Sequence, residues 1–185
     1  MKPTNVGTEL QLRPQRPERT KRPRIQDFDY KGEYAYHLTL STRGHEPVFE
    51  DLELGRRCVS ILTSVAAKKS FALLAFCFMP NHLHLLVQGQ DESADLLLFV
   101  QNLKQETSFH FKQRTGRQLW QQSFFDRALR QDDASLDMAA YILQNPVAAG
   151  ISPDVQSYPL SGGEFFDAAL ADGAEASSLR GPTND

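Results

Sequence analysis

The segment Phe78-Met79-Pro80-Asn81-His82-Leu83-His84-Leu85-Leu86-Val87 constrains this chain more than any other. Leu and Val around the two histidines favour a β-strand. In a strand, residues i and i+2 point to the same face. His82 and His84 therefore stand side by side, with Leu83 and Leu85 packed on the opposite face. The preceding apolar run, Phe71 to Met79, is broken from this strand only by Pro80-Asn81. A junction that short joins antiparallel strands as a hairpin.

Two imidazoles on one rigid strand can hold one metal ion, but the pair leaves the metal open. Imidazole suits Zn, Cu, Fe and Ni, whereas Mg and Mn prefer oxygen. It leaves open equally that both rings are satisfied by hydrogen bonds. Two ligands under-coordinate an ion, so the rest of a site must come from elsewhere. Tyr141-Ile142-Leu143-Gln144-Asn145-Pro146-Val147 is the best candidate. Tyr141 and Asn145 are spaced i and i+4 and share one helix face. The competing reading is a tyrosine packed in the core and an asparagine capping the helix before Pro146.

Around these segments the pattern is α+β. Tyr36-His37-Leu38-Thr39-Leu40-Ser41-Thr42 alternates as a first strand. Leu54, Cys58, Ile61, Leu62 and Val65 recur at helical spacing. A longer helix follows, burying Leu96, Phe99, Val100, Leu103 and Thr107 with Lys104 and Glu106 outside, and Thr115-Gly116 ends it. The stretch 120–130 is expected to give a short strand and turn. A last helix spans 134–144 and stops at Asn145-Pro146, because the residue before proline is pushed out of the αR region. Strand, helix, strand, strand, helix, strand, helix is a ferredoxin-like antiparallel sheet with helices on one face, plus an additional C-terminal helix carrying the tyrosine.

Composition narrows the class further. Cys58 and Cys77 are two cysteines in apolar surroundings, expected as reduced core residues without a disulfide framework. No apolar stretch is long enough to cross a bilayer, and no signal-peptide pattern opens the chain. A soluble cytoplasmic protein is expected. Net charge is −3, unevenly spread. Arg13, Arg16, Arg19, Lys21, Arg22 and Arg24 alternate with prolines, whereas the chain beyond residue 160 is acidic. Residues 1–33 are read as a flexible basic arm, either a phosphate-contacting element or a solvated tail. Residues 34–160 form the domain, and 161–185 an acidic, disordered tail.

With those residues in view, the chain resembles the REP-associated tyrosine transposases. These are relatives of the IS200/IS605 single-strand transposases within the HUH (His-hydrophobic-His) endonucleases. Met79 to Val87 is similar to the family's His-hydrophobic-His strand. Trp120-Gln121-Gln122-Ser123-Phe124-Phe125-Asp126-Arg127 resembles its Trp-Gln block. Tyr141-Ile142 with Asn145-Pro146-Val147-Ala148-Ala149-Gly150 resembles its tyrosine helix, and Ser157-Tyr158-Pro159 with Ser161 its closing segment. Four motifs in the right order are more specific than any one of them, and they cover about 34–160.

The resemblance implies that Tyr141 is the nucleophile, that His82, His84 and Asn145 are metal ligands, and that the ion is Mg²⁺ or Mn²⁺. It implies a partner, single-stranded or hairpin DNA, and a chain acting as a monomer or homodimer. Attack by the tyrosine would leave a 5′-phosphotyrosine and a free 3′-OH. Lys112, Arg114, Arg117, Arg127 and Arg130 are candidate phosphate contacts, and Phe124, Phe125 and Trp120 candidate stacking groups. Aromatics in a compact domain are more often core. His37, His45 and His110 show no partner spacing and receive no role. Two other readings stand beside this one: a catalytically silent hairpin-binding regulator, and a zinc enzyme unrelated to nucleic acid.

Overall fold

The computed structural model describes residues 29–129 and 134–166. The basic arm, Arg130 and the chain from 167 onward lie outside the described residues. The elements run β1 (Ala35–Ser41), α1 (Leu52–Lys68), β2 (Phe71–Met79), β3 (His82–Gly89), α2 (Leu96–Thr115), β4 (Phe125–Leu129), α3 (Ala134–Ala148) and β5 (Ser161–Gly162), with two short 3-10 turns between β1 and α1. The sheet is antiparallel in the order β4-β1-β3-β2-β5. Its first four strands have the ferredoxin-like arrangement expected from the element order.

Strand alternation gives the sheet two unlike faces. On one face Leu38 and Leu40 of β1 lie opposite Leu85 and Leu83 of β3, and these lie opposite Phe76 and Phe78 of β2. This face packs against α1 and α2. Phe49 stands edge-on to Phe78 and reaches Trp120, whose Nε1 donates to the buried Thr107 hydroxyl of α2 at 2.8 Å. Asp51 caps α1 by accepting from the Glu53 and Leu54 amides. Gly116, at φ 70°, closes α2 in the left-handed conformation that glycine adopts without strain. Lys104 does not point outward as its helical position suggests. Its ammonium donates to the carbonyls of Gln121, Gln122 and Ser123, tying down the segment that leads into β4.

The opposite face carries α3, which packs over β2 and β3. Ala139, Ile142 and Leu143 form its buried stripe. The expected stop at Asn145-Pro146 is corrected: the helix continues to Ala148 with Pro146 inside it and buried. Proline offers no N–H to Ile142 O, four residues back. The Asn145 side chain supplies that donor, its amide nitrogen reaching Tyr141 O at 2.7 Å and Ile142 O at 3.3 Å. The helix then closes at Gly150, with Ile151 N returning to Pro146 O.

The order of the chain also passes the boundaries set at 33 and 160. Tyr30 is buried and accepts from Leu96 N. Beyond 160, β5 pairs with Phe76 and Cys77, and Glu164 and Phe165 donate to the Leu73 and Leu74 carbonyls. The closing segment is fastened by Tyr158, whose hydroxyl donates to Phe78 O at 2.6 Å. Both cysteines are free and buried, and burial pushes each thiol pKa up to about 12. Among the described residues no helix is long and apolar enough to cross a membrane.

Candidate active site

The site lies on the sheet face that α1 and α2 leave free. Register places His82 of β3 opposite Ser41 of β1, and His84 opposite Thr39. The two rings meet edge to face with their Nε2 atoms 3.0 Å apart. Each Nδ1 has its own partner. His82 Nδ1 lies 2.7 Å from Asn81 Oδ1, and His84 Nδ1 lies 3.2 Å from Thr39 Oγ1. A carboxamide oxygen only accepts, so His82 carries its proton on Nδ1 and turns a lone pair at Nε2 toward His84. His84 is buried, which with the neighbouring His82 and His37 lowers its pKa to about 3. Burial also lowers His82, with the nearby His45 adding to the effect. Both rings are therefore neutral near pH 7, the form in which imidazole binds a metal.

α3 brings Tyr141 to this pair. With Ala139, Ile142 and Leu143 facing the sheet, Tyr141 projects from the helix flank and is 56% exposed. Its ring centroid lies 6.0 Å from that of His84. The reading of Tyr141 as a core residue therefore fails. Asn145 is half-buried on the same flank. Its nitrogen is committed to the helix carbonyls, which leaves Oδ1 as the atom able to meet a cation. The helix-binding reading and the ligand reading of Asn145 thus use different atoms.

His37 is a site residue that the sequence reading left without a role. It stacks on His84 at 5.8 Å and stands edge-on to Tyr141 at 6.4 Å and to Phe125 at 6.3 Å. Its signal was the alternation of β1, in which His37, Thr39 and Ser41 share the face opposite the buried Tyr36, Leu38 and Leu40.

The candidate DNA contacts divide. Arg127 on the edge strand β4 is exposed and in register with His37, whose pKa burial lowers first and the Arg127 charge second. Phe125, opposite Thr39, is 42% exposed. Lys112, Arg114 and Arg117 are exposed at the end of α2. Arg114 pairs with Asp51 at 2.9 Å and Arg117 pairs with Glu46. Trp120 is core, and Phe124 packs under the Lys104 ammonium.

Comparison with known proteins agrees with this fold. A Haemophilus influenzae protein named as a REP-associated tyrosine transposase is 24% identical over 146 residues, covering 73% of this chain and 81% of its own. The solved structure of a REP-associated tyrosine transposase bound to a REP hairpin superposes with a TM-score of 0.63 at 20% identity, over 89% of this chain and 94% of that one. It shares the fold described above. The profile of the family described as "Transposase IS200 like" matches residues 30–145, which include the whole His-Leu-His strand and the tyrosine helix through Asn145. The chain belongs to the IS200-like transposase family.

Proposed function

We propose that the protein nicks and rejoins single-stranded, hairpin-containing DNA of the REP type, using Tyr141 as nucleophile and His82, His84 and Asn145 to hold Mg²⁺ or Mn²⁺. The observation that carries this reading is an exposed tyrosine set against two neutral histidines, His84 buried and His82 half-buried, whose Nε2 atoms converge to 3.0 Å. The hairpin is chosen because the fold neighbour is bound to one. Such a protein works in the cytoplasm, as a monomer or homodimer.

The donor set fits a divalent ion: His82 and His84 would bind it through Nε2, and the Asn145 oxygen would add the hard donor that a histidine pair lacks. Without a cation, a proton must sit between the two Nε2 atoms: His84 donates to His82, and the Thr39 hydroxyl donates to His84 Nδ1. Were a cation held there, His84 would carry its proton on Nδ1, with the Thr39 hydroxyl accepting. Asn81 and Thr39 are therefore the groups that keep each Nε2 lone pair directed at the ion.

When bound, the divalent ion spreads the negative charge of the scissile phosphate and stabilises the transition state. A phenol, with an ordinary pKa of about 10, is a weak nucleophile near neutrality and needs that help. The Tyr141 oxygen forms a bond to phosphorus and gives up its proton to solvent, while the phosphorus–O3′ bond breaks and the leaving oxygen takes a proton. The products are a 5′-phosphotyrosine and a free 3′-OH. The phosphoester is conserved, so a 3′-OH can reverse the step and join strands without ATP. Arg127 offers a phosphate contact and Phe125 a stacking surface beside the histidines.

Incubation of the protein with labelled hairpin DNA and Mn²⁺, followed by a denaturing gel, tests the reading. A covalent adduct is expected with the native protein, and none with Tyr141→Phe or with EDTA. An adduct in Tyr141→Phe would refute the nucleophile assignment. Hairpin binding with no adduct in any divalent metal would instead identify a silent regulator. Tightly held zinc with no DNA binding would identify the metalloenzyme.

A further inference from the structure

His37 occupies the point where the three site components meet. Its ring stacks on the ligand candidate His84, with centroids 5.8 Å apart and planes at 26°. It meets Tyr141 at 85° and Phe125 at 69°. It is only 8% exposed, and its Nε2 is buried with no hydrogen-bond partner among the described residues. A buried ring nitrogen without a partner costs about 1–3 kcal/mol. Such an orphan is open to a partner that the resting arrangement does not supply. The packing function of the ring is met by its carbon atoms alone; nothing in the resting arrangement uses Nε2.

The group best placed to supply the partner is the Tyr141 hydroxyl. Tyr141 packs edge-on against His37, and its 56% exposure leaves the phenol free to turn about its side-chain bonds. His37 by contrast is fixed on the β1 backbone between β3 and β4. We propose that His37 is a positioning residue whose Nε2 accepts the hydrogen bond of the Tyr141 hydroxyl in the attacking pose, aligning the oxygen over the phosphate held next to His84. The inference rests on Tyr141 being the nucleophile, and it adds a residue that holds the nucleophile without binding the ion. In the resting state the contact is unmade and the tyrosine is exposed. In the loaded state one hydrogen bond removes both the orphan and the freedom of the phenol, which is the entropy that orientation must remove before attack.

Single-turnover adduct formation on saturating hairpin with Mn²⁺ tests it, alongside Mn²⁺ and hairpin affinities. His37→Phe keeps a planar ring and removes the nitrogen. It is expected to slow adduct formation at least tenfold with both affinities within twofold of native, and His37→Gln, which restores an acceptor, is expected to recover part of the rate. An unchanged rate in His37→Phe overturns the proposal, and so does loss of Mn²⁺ affinity, which would make His37 a ligand. Should the variants not fold, ¹⁵N spectra of the imidazoles in the native protein still decide. The His37 Nε2 resonance is expected to shift when Mg²⁺ and hairpin are added together, and not to shift in Tyr141→Phe; the same shift in both proteins, or in neither, removes the hydrogen bond. Absence of any adduct with the native protein is a different failure, that of the nucleophile assignment itself.

Discussion

The two faces of the central sheet are built from the same strands by the same alternation, yet they are finished differently. On the α1/α2 face, Leu38, Leu40, Leu83, Leu85 and Phe78 are each fully buried, and the Trp120 indole nitrogen pairs with the Thr107 hydroxyl. On the α3 face, the same strands offer His37, Thr39, Ser41, His82 and His84, covered by a helix that lies over β2 and β3 and leaves Phe125 and Arg127 of β4 exposed. One face is closed by apolar burial. The other keeps an orphaned nitrogen, two ring nitrogens that converge, and an exposed tyrosine. The first face is apolar across its strands, and the proposed chemistry lies on the second.

The sharpest way to break that comparison is a pair of neighbours. Leu83→Ala and His84→Ala change adjacent residues of β3 that point to opposite faces. For His84→Ala, the adduct rate is expected to fall on the order of 10²–10³-fold, the loss typical when one transition-state electrostatic contact is removed. The hydrogen bonds lost to Thr39 and His82 are worth about 1 kcal/mol of stability each. Leu83→Ala is expected to cost about 2–5 kcal/mol of stability through the cavity it leaves, with the adduct rate of the folded fraction unchanged. Denaturant melts and gel kinetics on both variants test this; equal stability losses would mean that the faces are not divided in labour.

How much of this was legible depended on periodicity. The His-Leu-His strand, its hairpin and the two packing helices follow from spacing alone, because alternation and 3.6-residue repeats act locally. Three things did not follow. α3 continues past Asn145-Pro146 because Pro146 is buried and Asn145 replaces the missing donor, a tertiary override of a local rule. β5 is two residues long and has no period to detect. His37 displayed its face through β1 alternation, but only strand register brings it beside His84, and register depends on residues nearly fifty positions apart (84 − 37 = 47). The ion pairs at the end of α2 were not legible for a similar reason: Asp51 and Glu46, the partners of Arg114 and Arg117, are distant in sequence.

Within the reactive face, Asn81 and His84 separate orienting from ligating. Asn81→Ala removes the acceptor that holds His82 Nδ1–H, and with it the direction of the Nε2 lone pair. Mn²⁺ affinity is expected to fall about 10–100-fold, the usual cost of losing such a support. Hairpin affinity without metal should be unchanged. Calorimetric titration with Mn²⁺ measures it, and an unaltered affinity would mean that the sheet backbone alone orients His82.

The smallest expected difference is also the one that locates the DNA. Arg127 stands exposed on the reactive face in register with His37, whereas Arg114 is engaged with the carboxylate that caps α1. If DNA lies along the reactive face, Arg127→Ala removes one phosphate contact, lowering affinity for every hairpin alike and reducing the slope of log K against log salt by about 1. Arg114→Ala should leave that slope unchanged. It should cost at most about 1 kcal/mol of stability, because an exposed pair contributes little and Asp51 still caps α1 through the Glu53 and Leu54 amides. The opposite outcome, a slope altered by Arg114 and not by Arg127, would move the DNA to the end of α2. The reactive face would then receive only the nicked strand, and the hairpin would be recognised on the face that otherwise holds the fold together.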